Sequence, residues 1–188
     1  MTTEKPSWQD IKEVISAWSD KQLIGLVQDL YRLNPGNAAF LNARLLKHSA
    51  PEQTLAPYKK RIRAAVSPKE PWKQDVRLSE GRKAISEFIK ANGNVRDTLA
   101  LMTYYVQCGN DFTLEFGDID ERFYNSMCSM VGQIKDRLLK EQDQSLAEGI
   151  VPLLEKEFKR IDGQMGWGYP DEFGDHLGEL RDAFKHDR

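Results

Sequence analysis

The chain has two cysteines and three histidines in 188 residues. It has no apolar run near the roughly 20 residues that span a bilayer. Cys108 and Cys128 cannot make a disulfide framework in a chain of this size. They read instead as small buried apolar residues in a reducing compartment. The histidines form no H-E-x-x-H pair, and neither cysteine has a histidine near it in sequence. No G-x-S-x-G, Walker or dinucleotide fingerprint occurs, so nucleophilic catalysis and nucleotide binding have no motif behind them. Strand-like alternation is nearly absent, since Val76–Leu78 is too short to count. The first ten residues, MTTEKPSWQD, lack a basic stretch followed by an apolar one, so no secretory leader is expected and a cytoplasmic location is. A net charge of −2 creates no whole-molecule field toward nucleic acid or anionic membrane.

What the sequence does hold is helical periodicity punctuated by caps. Ser7 opens a stripe of Trp8, Ile11, Ile15 and Trp18. Ser19 and Gln22 have capping-box spacing ahead of Leu23, Val27 and Leu30. Asn34-Pro35 ends that helix and starts a third with Phe40, Leu41 and Leu45. A fourth runs from near Pro51 to Val66, and a loop with Pro71 and Trp72 follows. Ser79 is expected to cap a fifth, with Ile85, Phe88 and Ile89. Asn94 caps a sixth with two apolar stripes, Val95/Leu99/Met102/Val106 and Leu101/Tyr105/Cys108/Phe112. Helices apolar on most sides are buried on most sides, which makes this one the expected centre. Gly117 stops it, and Asp118 is expected to cap a seventh with Glu121 in the box position. An eighth carries Leu146, Ile150, Leu153, Leu154, Phe158 and Ile161. A Gly-rich turn, Gly163–Pro170, leads to a last helix with Phe173, Leu177, Leu180 and Phe184. The expectation is a single all-α domain over residues 1–188, about nine helices in an irregular stack of antiparallel helical hairpins.

Five segments in this order resemble an uncharacterised bacterial family of small all-helical proteins, a domain of unknown function. They are FLNARLL (Phe40–Leu46), YKKRIRAAVSP (Tyr58–Pro68), LSEGRKAISEF (Leu78–Phe88), Met102–Met130 and GWGYPDEF (Gly166–Phe173). The resemblance covers roughly Asp20 to Phe184. It implies a compact all-helical cytoplasmic protein and no activity, cofactor or catalytic residue.

Charge is unevenly placed. Residues 58–90 hold ten Lys/Arg against four Asp/Glu, and residues 110–188 hold ten against eighteen. Basic and acidic faces packed side by side explain this, and a basic surface for an acidic partner or phosphate is the alternative. Within the acidic part, Asp111, Glu115, Asp118, Asp120 and Glu121 gather near one turn. Carboxylates so placed can bind a hard cation, although the spacing is not that of an EF-hand. Asp118 as a cap, with Asp120 and Glu121 in the first turn, also suits a helix start. Downstream, Asp171/Asp175 and Glu172/His176 are both i,i+4 pairs on a helix face. A histidine with two carboxylates could ligate a metal or hold a general base.

Two readings of function follow. In the first, the chain is a protein-binding scaffold or adaptor whose groove is lined by aromatics and acids. In the second, it is a metal-binding protein or metal-assisted enzyme using the Glu115–Glu121 acids with Asp171, Asp175 and His176. Binding leads, because stacked helical hairpins present grooves and no catalytic constellation stands out. No cofactor, no specific nucleic acid and no membrane partner are expected. The site is expected between the start of the seventh helix and the Gly-rich turn, with Trp167 and Tyr169 closing over the core. Asp118, Asp120, Glu121, Asp171, Asp175 and His176 would then share one rim.

Overall fold

A computed structural model describes residues 5–46 and 51–185, and these contain nine helices and no strand. In chain order they are α1 (Trp8–Ser16), α2 (Asp20–Leu33), α3 (Pro35–Leu45), α4 (Pro51–Val66), α5 (Leu78–Ala91), α6 (Val95–Phe116), α7 (Glu121–Glu141), α8 (Gln144–Ile161) and α9 (Tyr169–Ala183). His48 and His186 lie outside the described residues.

The caps explain most of the boundaries. Ser7 with Asp10 and Ser19 with Gln22 form complete capping boxes, each satisfying two otherwise orphaned backbone N–H groups. Asn34 accepts from the Asn37 amide and Asn94 from the Asp97 amide. Gly117 ends α6 at φ +90°, where a side chain would be strained. Two expected caps are corrected. The residue before α5 is Arg77, without a side-chain cap, and Ser79 lies inside the helix. The cap of α7 is Asp120, whose carboxylate accepts from the Phe123 amide at 2.7 Å. Asp118 stands two residues earlier, with its carboxylate engaged elsewhere.

The core is built on α6. Twelve of its 22 residues are buried, with Leu99, Leu101, Tyr105, Val106 and Cys108 fully enclosed. Around it pack α4, α5, α7 and α8, and α9 closes against α7 and α8. Helix α3 joins this body through α4 and α5, and α2 packs on α3. Among the described residues, α1 packs extensively against no other helix, and neither α1 nor α2 has a buried residue.

Candidate functional site

The turn before α7 does meet the Gly-rich turn before α9. Asp118 Oδ1 accepts from the Tyr124 hydroxyl at 2.6 Å and from the Gly166 amide at 3.5 Å. A side chain at Gly166 would stand 3.2 Å from the Asp118 carboxylate, so the close approach favours glycine. Tyr169 is fully buried, stacks 5.7 Å from the Tyr124 ring, and donates its hydroxyl to Asn110 at 2.9 Å. Burial pushes the Tyr124 hydroxyl well above its ordinary pKa, and the neighbouring Asp118 carboxylate adds to the shift.

The rest of the expected site is not assembled there. Trp167 is 60% exposed and has a left-handed backbone (φ +60°), as does Gly168 after it (φ +68°). Glu115, Glu121, Asp171 and Asp175 are exposed, and Asp120 is occupied as the α7 cap. His176 lies 3.7 Å from Glu172 and 3.8 Å from Glu179, against Gly132 of α7. Among the described residues no hydrogen bond or ion pair joins Asp118 or Asp120 to Asp171, Asp175 or His176. Nor do three His, Cys, Asp or Glu side chains come close enough to hold a metal ion. Neither Arg44 nor Arg61 bridges these acids, since Arg44 donates to the Lys90 carbonyl and Arg61 pairs with Glu87.

A different polar cluster crosses the core. Asp111 on α6 accepts from Arg63 of α4 at 2.8 Å and from Arg160 of α8 at 2.7 Å. Arg160 also holds Glu157 at 2.9 Å, and Glu157 accepts from the Asn110 amide group at 3.0 Å. Asn110 in turn receives Tyr169 of α9. Arg63 donates to the Tyr104 hydroxyl and stacks over its ring at 5.5 Å. Burial disfavours the Asp111 anion, yet the hydrogen bonds from Arg160 and Arg63 outweigh it and hold the carboxyl below its ordinary value. Glu157 is only 3% exposed. Every charge in this chain of contacts has a partner, and the cluster ties four helices together. It had a sequence signal: position 157 falls on the Ile150, Leu154, Ile161 stripe, where a carboxylate must find a partner when buried.

The least satisfied surface is the N-terminal one. Trp8, Ile11 and Val14 on α1, Ile24, Val27, Leu30, Tyr31 and Leu33 on α2, and Leu45 on α3 all stand exposed. Ile24, Val27, Tyr31, Leu41 and Leu45 line a groove of about 470 Å³ between α2 and α3. A wider groove of about 910 Å³ runs between α3 and α4, walled by Ala39, Ala56, Pro57 and Ala64 with Lys60, Arg61 and Glu87 along its rim. Neither has the combined aromatic and acidic lining expected from the sequence; the first joins Tyr31 to aliphatic side chains without an acid, and the second is small-walled with a mostly basic rim. No helix among the described residues is long and apolar enough to cross a membrane.

Comparison with protein-family models, curated proteins and solved structures finds no match to this chain. The family resemblance therefore rests on its sequence motifs alone.

Proposed function

We propose that the chain is a protein-binding scaffold whose partner surface is the face of α1, α2 and α3. One observation carries this reading. The apolar stripes of α1 and α2 have helical spacing and complete caps, yet the body of the protein leaves them in contact with water. Single exposed apolar residues are ordinary, but contiguous patches beyond a few hundred Å² mark interaction surfaces. The four exposed aromatics Trp8, Trp18, Tyr31 and Phe40 alone present roughly 300–450 Å² at 150–250 Å² per full ring. Helices of 9 and 14 residues are also marginal on their own, so a partner's cover supplies what the tertiary fold does not.

Lysine-directed cross-linking in the cell of origin tests the reading without knowledge of the partner. Intermolecular cross-links should concentrate on Lys5, Lys12 and Lys21 and disappear with Ile24→Asp/Val27→Asp. Cross-links spread evenly over α7, α8 and α9, or unchanged in that variant, would contradict it.

A further inference from the structure

A pocket of about 270 Å³ opens where Val76–Ser79, around the start of α5, meets Ile119–Phe123, around the start of α7. Val76, Leu78, Ile119 and Phe123 form its apolar lining and pack on the core. Arg77, Ser79, Asp120 and Arg122 form the polar lining. We infer that this pocket binds a phosphate dianion between Arg77 and Arg122, either free or as the phosphate of a small monoester. The site stands apart from the α1–α3 face and does not depend on the role of that face.

The arginines carry the inference. Most arginines of the described residues bond to the fold: Arg61 pairs with Glu87, Arg63 and Arg160 hold Asp111, and Arg82 donates to Ser126. Arg77 and Arg122 come from different helices to line one pocket, yet neither guanidinium has an ion pair, hydrogen bond or ring contact within the described residues. Like charges brought to one cavity repel, and an anion between them removes that cost. A guanidinium presents paired donors that match phosphate oxygens, so two of them can grip one phosphate from both sides.

The backbone adds donors at the same place. No side chain caps α5, and the amides of Leu78 and Ser79 have no acceptor within the described residues. In α7 the Asp120 carboxylate serves the Phe123 amide, which leaves the Arg122 amide open as well. Each helix start contributes roughly +0.5 of charge. With two guanidinium groups and the single Asp120 carboxylate, the lining comes to about +2. That complements a phosphate group, which carries about −1.5 to −2 at pH 7. Glu80 and Glu121, the acids of the two first turns, do not line the pocket. The apolar lining competes for none of these donors and strengthens their field by lowering the local dielectric.

The test is titration of inorganic phosphate into isotope-labelled protein at constant ionic strength, followed by amide NMR, with chloride and acetate as controls. Shifts should centre on Leu78, Ser79 and Arg122 and saturate with a dissociation constant of about 10⁻³ M or tighter. Arg77→Gln/Arg122→Gln should weaken binding by at least about tenfold, the loss that follows removal of hydrogen bonds to a charged group. Its melting temperature in phosphate-free buffer should be unchanged, because neither side chain has a partner in the fold. If the double variant does melt lower, Arg122→Lys decides, since it keeps the charge, loses the fork and should still weaken binding several-fold. Phenyl phosphate separates the two sources: tighter binding than inorganic phosphate assigns the monoester, and equal or weaker binding assigns the free ion. Shifts that do not saturate, that chloride reproduces, or that persist unchanged in the variants overturn the site. Acetate binding as tightly as phosphate overturns its assignment to a dianion.

Discussion

Asp111 is held by two arginines from helices on either side of α6, and its depressed pKa makes that bond a pH-dependent source of stability. An aspartate whose folded pKa lies below its unfolded value of about 3.9 stabilises the fold above that value. The contribution is lost as pH falls through the lower, folded pKa. Asp111→Asn should therefore cost about 1–2 kcal/mol at pH 7, the range for hydrogen bonds to charged groups discounted for partial exposure. The difference from wild type should narrow progressively as pH falls below the ordinary carboxylate range, as read by urea melts at pH 7 and at successively lower pH. A gap independent of pH would place the effect in packing. Cys108 and Cys128 make a second residue-scale case. Burial pushes both thiols up to about 12, and for Cys108 this overrides the opposing influence of Arg63. Native protein should not react with a thiol reagent at pH 8, and both groups should react on unfolding. Fast labelling of either would mean that α6 or α7 opens locally.

At the scale of elements, α6 and α2 are opposites. Both carry apolar stripes and a side-chain cap, but α6 is enclosed by four neighbours and α2 has one substantial contact, with α3. Leu99→Ala in α6 should cost about 2–5 kcal/mol, the range for core truncations, with chemical denaturation as the measure. A loss within the scatter of surface substitutions, about 0.5 kcal/mol, would mean that α6 is not central. The approach of α5 to α4 and α6 is set by Gly81. A Cβ there would fall 2.8 Å from the Val66 side chain and 2.9 Å from the Tyr105 ring. Because a buried ring has little room to move, Gly81→Ala should destabilise by about 1–3 kcal/mol, the cost of overpacking. A neutral or stabilising result in the same melt would show that α5 can shift outward.

Across the whole molecule, part of the basic segment is engaged in internal contacts. Arg61 pairs with Glu87, Arg63 with Asp111, and Lys59 lies over the Tyr104 ring. Phosphate would have to displace these partners, and the acidic C-terminal helices add repulsion. A mobility-shift assay at physiological salt should show binding no tighter than the non-specific range of about 10⁻⁴–10⁻⁶ M. A tighter, sequence-dependent shift would reassign residues 58–90 to a nucleic-acid surface.

The sequence by itself determined the helices and most of their ends, because these depend on groups three or four residues apart. Ser7 with Asp10, Ser19 with Gln22, and Asn94 with the Asp97 amide are local contacts, and the double stripe of α6 announced its own burial. Helix α7 shows the limit of local reading. Asp118 and Asp120 have equal capping chemistry, and the choice fell to Asp120 while Asp118 bonds with Tyr124 and with Gly166, 48 residues away. Only tertiary structure could turn Trp167 outward while burying Tyr169, or join Asp111 to Arg63 and Arg160. It alone separated the stripe of α6, which the chain covers, from those of α1 and α2, which it does not. The physical reason is the same in each case. Periodicity shows that a face is apolar, and only the packing of distant segments decides what removes that face from water.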